Sequence, residues 1–226
     1  MYAKVFKRII DFTLSLIALC ALSPILLILI ILGAIKMKGN PFFVQPRPGK
    51  NEKIFRLIKF RSMTCEKDEN GNLLPDEIRL TKYGKFLRAT SLDELPELIN
   101  ILIGDMSIVG PRPQLVRDMV FMTEEQRMRH SVRPGLTGHA QVNGRNNITW
   151  EQKFLYDLEY ISNGITLIND IKIIFQTVVK VFKREDTVRE GTVSDLDFGD
   201  WLLEKGEITA ETYEMRQKEA KELLEV

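Results

Sequence analysis

Residues 9 to 35 form an apolar run, IIDFTLSLIALCALSPILLILIILGAI, with one charge, Asp11, and one Ser-Pro pair, Ser23 and Pro24. Such a run favours burial in lipid. As one straight helix its 27 residues reach roughly 40 Å, enough for a hydrocarbon layer of about 30 Å. Two features argue against simple crossing. Basic residues lie on both flanks: Lys4, Lys7 and Arg8 before the run, Lys36, Lys38, Arg47 and Lys50 after it. Crossing leaves one of these clusters on the wrong side. Pro24 also has no N–H, so the Cys20 carbonyl loses its helical partner; the Ser23 hydroxyl is placed to satisfy it. If the chain turns there, the arms 9–22 and 25–35 reach only roughly 21 and 16 Å. The chain then dips into the membrane and returns. A kinked spanning helix is the alternative.

Charge is unevenly distributed. Residues 1–64 carry eleven Lys and Arg against two acids, a net of +9, and residues 185–226 carry thirteen acids against five bases, a net of −8. The basic end beside an apolar run suits anionic headgroups or phosphates. Two cysteines, Cys20 and Cys65, form no disulfide framework and fit a reducing compartment. The expected organisation is a membrane hairpin over 1–38, a compact cytosolic domain over 39–184 and an acidic helical tail over 185–226.

The cytosolic part reads as α+β and mostly helical. Residues 41–63 hold two β-prone runs around a Pro-Gly turn, a small hairpin. Residues 64–80 read as a polar surface loop. Thr81 caps a short helix, ELPELINIL forms a second, and DMSIVGPRP is a strand running into a rigid turn. Residues 114–130 are helical, and 132–146 form a Gly-rich loop with β character. Helices follow over 149–162 and 165–184. The last is basic and amphipathic, suited either to a membrane surface or to core packing.

The chemistry concentrates in TSLDELPELIN, residues 90–100. Ser91 and Glu94 match a capping box, which accounts for the acids without any function. That frame makes Pro96 the fifth helical residue, at the loss of a backbone bond. A helix starting at Asp93 puts Pro96 where no bond is lost. Asp93 and Glu94 can then converge on one metal or one substrate. Lys59, Arg61, Arg88, Arg112, Arg133 and Arg145 lie at points where the backbone looks fixed, Arg112 between two prolines. An arginine fork suits phosphate oxygens. Acids, arginines and glycine-rich backbone together suggest a magnesium-bound diphosphate. His130 and His139 lack metal-ligand spacing. There is no P-loop and no dinucleotide fingerprint.

SLDELPELINILIGDMSIVGPRPQL, VRPGLTGHAQVNGRN and KFRSM resemble the bacterial sugar transferase family. These are the monotopic phosphoglycosyl transferases that act on polyprenol phosphate. The resemblance runs from about residue 4 to 184 and is nearest to the small members that use UDP-N,N'-diacetylbacillosamine. It implies a re-entrant helix broken at Ser23 and Pro24, with cytosolic helices near the membrane surface. It implies that Asp93 attacks the sugar-linked phosphate of a UDP-sugar, releasing UMP, and that polyprenol phosphate then takes the phosphosugar. It implies a magnesium requirement, with Glu94 and Asp93 as ligands, and places phosphate on Lys59, Arg88 and Arg112. Arg145 matches a nucleotide-side loop. The expected location is the cytosolic face of the bacterial inner membrane, against phospholipid, with no nucleic-acid partner.

Residues 185–226 depart from the small members. They read as helix, Gly turn and capped helix, with Thr209 as the cap. The open readings are a solvated helix pair, homo-oligomerisation, or docking of downstream glycosyltransferases. Two other functions compete with the transferase: a hydrolase of UDP-sugars, and a non-catalytic protein that binds anionic lipid.

Overall fold

The computed structural model describes residues 1–144, 148–183 and 196–225. The apolar run lies in a 31-residue helix, α1 (Phe6–Lys36), that continues through Pro24. The Ser23 hydroxyl donates to the Cys20 carbonyl at 2.8 Å, supplying the bond that the proline cannot. The chain then forms a hairpin of β1 (Phe42–Pro48) and β2 (Ile54–Phe60), in antiparallel register from Phe42 opposite Phe60 to Pro48 opposite Ile54. Its tip is a 3₁₀ turn, Lys50–Glu52.

The 64–80 loop contains one helical turn, α2 (Asp76–Arg79). Thr81 caps α3 (Lys82–Ala89), its side chain accepting from the Gly84 N–H. A 3₁₀ turn, Leu92–Glu94, leads into α4 (Glu97–Ile103). The α-helix therefore begins later than Asp93, with Pro96 at its N-cap. A proline there forfeits no intrahelical bond, as expected for Pro96, although the helix starts later than expected. The Ser91 side chain caps nothing, which removes the capping-box reading.

Strand β3 (Ser107–Val109) pairs in parallel with β4 (Gly135–Thr137). Their close approach depends on glycine: a Cβ on Gly135 would lie 2.1 Å from the Gly110 nitrogen. Between these strands the expected helical stretch is divided into α5 (Val116–Met119), α6 (Glu124–Arg127) and a 3₁₀ turn, Met128–Ser131. Then come α7 (His139–Val142), α8 (Trp150–Ser162), capped by Thr149, and α9 (Leu167–Lys183). The tail forms α10 (Phe198–Glu204) and α11 (Ala210–Glu225), separated by Gly206 at φ +73°. Thr209 Oγ1 accepts from the Thr212 N–H.

Helix α1 lies along the body over most of its length. Near its start, Lys7 bonds Asp170 of α9 at 2.6 Å, and Arg8 donates to the carbonyls of Ile101 and Leu102. Asp11 accepts from the Ser107 hydroxyl and the Ile108 N–H. Farther along, Ala18, Leu19 and Leu22 pack on Phe55, Leu57, Leu98, Ile101 and Met106. Beyond Pro24, Leu29 joins Phe60 and Leu87, and its carbonyl accepts from the Tyr83 hydroxyl. At Gly33 an added Cβ would meet Pro41 at 2.9 Å. The opposite side leaves Ile17, Ile28 and Ile31 exposed. Helix α9 is divided likewise, with Asp170 and Ile173 buried and Ile168, Ile171 and Phe175 exposed.

Candidate active site

Lys59 is the penultimate residue of β2, Arg88 lies in the last turn of α3, and Asp93 and Glu94 occupy the 3₁₀ turn before α4. Arg112 lies just beyond β3. Three short elements thus converge on one turn. Ser91, which starts the turn, is left-handed at φ 54°, a backbone that non-glycine residues rarely take and that clusters at functional sites.

The Arg112 guanidinium donates to Glu94 Oε1 at 2.7 Å. The Lys59 ammonium lies 3.2 Å from the same oxygen and 3.0 Å from Glu97 Oε1. Arg88 donates to the Ser62 hydroxyl at 3.0 Å, and its charge also reaches Asp93. Burial pushes the Asp93 carboxyl up, and Glu94 adds to the shift, against the pull of Lys59, Arg112 and Arg88. Glu94 holds the Arg112 guanidinium above its ordinary value.

Glu97 belongs to this cluster and reads in the sequence only as an acid in a first helical turn. It is almost fully buried, and burial raises its carboxyl to about 7 against the charge of Lys59. Its one legible signal is the spacing DExxE, since residues three apart share a helix face. The predicted set Lys59, Arg88, Asp93, Glu94 and Arg112 is brought together. Arg145 lies outside the described residues. Arg133 serves a different purpose: its Nε donates to the Gly104 carbonyl at the end of α4. His139 pairs with Glu159 at 3.5 Å on the surface.

The Arg112 turn is fixed by its carbonyls. Pro111 accepts from the Gly135 N–H, Arg112 from Arg129 at 2.7 Å and Pro113 from Arg47 at 3.2 Å. Arg129 is itself buried against Asp157 at 2.6 Å. Nothing in the sequence signals that pair.

Among the described residues no cluster of three or more His, Cys, Asp and Glu has metal-binding geometry. Magnesium needs fewer protein ligands, because it takes one or two carboxylates and completes its shell with water and phosphate. The hard oxygen donors of Asp93 and Glu94, beside cations that suit a diphosphate, fit that requirement.

Two adjacent acids on one turn, Glu94 paired with Lys59 and Arg112 and Asp93 in the field of Lys59, Arg112 and Arg88, fit a group-transfer site. Residues 2–184 match the model of the bacterial sugar transferase family. The chain belongs to that family. It is 49% identical over 181 residues to the uncharacterized sugar transferase EpsL of Bacillus subtilis, covering 80% of this chain and 89% of that protein. It is 43% identical over 188 residues to a UDP-glucose:undecaprenyl-phosphate glucose-1-phosphate transferase of Klebsiella pneumoniae, covering 79% of this chain but 40% of that longer protein. It is 35% identical over 198 residues to the exopolysaccharide production protein ExoY of Sinorhizobium fredii, covering 77% of this chain and 84% of that protein.

Proposed function

We propose that this chain transfers a sugar-1-phosphate from a UDP-sugar to undecaprenyl phosphate at the cytosolic face of the bacterial inner membrane. The observation that carries this reading is the Asp93–Glu94 turn, faced by Lys59, Arg88 and Arg112. The names of the relatives supply the substrate class.

The reaction divides into two phosphoryl steps. An Asp93 oxygen attacks the sugar-linked phosphorus, the bond from that phosphorus to the UMP oxygen breaks, and UMP leaves. A phosphate oxygen of the lipid then attacks the same phosphorus, the bond to Asp93 breaks, and the carboxylate is restored. Phosphoryl transfer depends mostly on positioning and charge stabilisation. Arg112 and Arg88 orient and neutralise the diphosphate, and Lys59, paired with Glu94 and Glu97, adds positive charge beside the acids. Glu94 and Asp93 would hold magnesium, which would supply further neutralisation of the phosphates.

The same reading makes the protein monotopic. Lys7 and Gly33, near opposite ends of α1, both touch the same body. That favours a helix lying along the body over one that crosses with lipid around its middle. The exposed apolar sides of α1 and α9, with Ile103 of α4, suit the acyl boundary. Ser23 and Pro24 sit where α1 passes from one core cluster to the next.

The test is UMP release from a panel of UDP-sugars with magnesium, with and without undecaprenyl phosphate. Sustained release only with lipid, giving a lipid diphosphate sugar, supports the transferase. Sustained release without lipid indicates a hydrolase, and no release with any donor indicates a lipid-binding protein.

A further inference from the structure

Helices α10 and α11 lie beyond the family region yet pack against α5, which follows the Arg112 turn. Phe198 is buried among Met122, Trp150 and Phe154, and the Trp150 Nε1–H donates to the Leu196 carbonyl. Ala220 of α11 is buried against Val116, Met119 and Val120. Gly199 leaves so little room that a Cβ there would lie 2.4 Å from the Phe121 ring. Arg117 forms an ion pair with Asp197. The tail therefore grips α5, the element that follows the turn.

Asp118 joins the two. One carboxylate oxygen accepts from the Leu115 N–H at 3.0 Å, three residues beyond Arg112. The other accepts from the Phe198 N–H at 2.9 Å, at the start of α10. Capping of α5 accounts for the first bond only. The residue is 1% exposed, an expensive place for a carboxylate that served only as a cap. Its charge also faces Arg47, whose guanidinium holds the Pro113 carbonyl.

We propose that Asp118 is a positioning residue, and that through it the docked C-terminal helix pair holds the Arg112 turn in its working geometry. This rests on the transferase reading for its activity readout but not for its structural one. Misplacing a charged group that orients a substrate costs rate without removing any chemical group.

The experiment uses the full chain with Asp118→Asn and Phe198→Ala, each in the natural and in the Arg112→Lys background. Phe198→Leu replaces Phe198→Ala should the latter not fold. In the natural background each variant is expected to lower kcat/KM for the UDP-sugar by about tenfold. With Arg112→Lys already present the further loss should shrink to less than about twofold, because the geometry being protected is gone. Amide exchange should quicken at Leu115 and through α5, with α4 unchanged. Equal losses in both backgrounds, or unchanged exchange at Leu115, would overturn the proposal. If the natural chain releases no UMP, the transferase reading fails, and exchange at Leu115 alone still decides whether the tail holds the turn.

Discussion

Two groups of acids lie beside α1 and its neighbours, and they are built in opposite ways. In the first, each carboxylate oxygen of Asp170 and Asp11 has a donor: Tyr2, Lys7 and Tyr160 for Asp170, Ser107 and Ile108 for Asp11. In the second, Asp93, Glu94 and Glu97 crowd around Lys59 and Arg112, and two cations share one Glu94 oxygen. The first group uses acids as fasteners, holding α1 to α9 and β3. The second keeps acids close to one another, so that burial and mutual repulsion push Asp93 and Glu97 up. Satisfied buried carboxylates mark architecture; crowded ones mark a place where an incoming ligand is meant to rearrange charge.

The largest expected effect comes from the crowded group. Under the proposed two-step transfer, Asp93→Asn replaces the attacking oxygen with a poor nucleophile at phosphorus. Turnover should fall on the order of 10⁴-fold or more, and the phosphosugar adduct should vanish. Intact-protein mass spectrometry after mixing with UDP-sugar and magnesium, without lipid, checks this. An adduct that persists in Asp93→Asn, or maps to Glu94 or Glu97, ends the assignment.

The fastener group should respond in stability alone. Asp170→Asn removes the charge partner of Lys7 and leaves that ammonium buried. Breaking a buried pair this way costs about 3 to 5 kcal/mol. Denaturant melts of the membrane-reconstituted protein should show the loss, with turnover per folded molecule unchanged. A large fall in turnover at intact stability would erase the distinction between the two groups.

Glu97 provides a pH test. Its carboxyl is raised from 4.5 to about 7. Between those values the folded chain holds a proton that the unfolded chain has released, so stability falls as pH rises through the window. Below about 4.5 both states are protonated and the stabilisation is fully present. Glu97→Gln removes the titration and should flatten the curve between pH 5 and pH 8 by roughly 1 to 3 kcal/mol. Thermal melts at both pH values measure it, and parallel curves for the two proteins would refute the assignment to Glu97.

The two groups differ in how much the sequence discloses. The crowded site is largely legible, because its residues sit at backbone punctuation: Lys59 near the end of a hairpin strand, Arg112 between prolines, Asp93 and Glu94 ahead of Pro96. The fastener group is nearly silent. Asp11 looks like one stray charge in an apolar run, and its partners lie 96 and 97 residues away. The β3–β4 pairing is equally hidden, since a parallel pair needs a long crossover and three-residue strands carry little periodicity. The α10 and α11 helices with their Thr209 cap are legible from local propensity. Their docking is not, because it depends on a few apolar residues, Phe198, Leu202 and Ala220, meeting a surface that only the fold creates.

The smallest expected effect tests which end of α1 is held harder. Pro24 lies between the portion packed on Leu98 and Ile101 and the portion packed on Phe60 and Leu87. Pro24→Ala restores an N–H, relieves ring crowding and favours a straighter helix. A straighter helix cannot keep every contact on both sides of position 24. The N-terminal side has the Lys7–Asp170 ion pair and the two Asp11 bonds; the C-terminal side has apolar packing and the single bond from Tyr83 to the Leu29 carbonyl. The C-terminal side should therefore yield. Its contacts, Phe60 and Leu87, are chain neighbours of Lys59 and Arg88, so the disturbance should reach the site. Turnover is expected to fall a few-fold, the equivalent of about 1 kcal/mol in the barrier, with global stability little changed as the gain in helix geometry offsets lost packing. Labelling of cysteines introduced at positions 4 and 38 in intact cells reads the topology. Both should stay shielded from the periplasm in the natural chain, and position 38 should remain on the body's side in the variant even as Leu29 loosens. Exposure of position 4 to the periplasm, with Asp170 left unpaired, would mean that the polar fasteners are the weaker end.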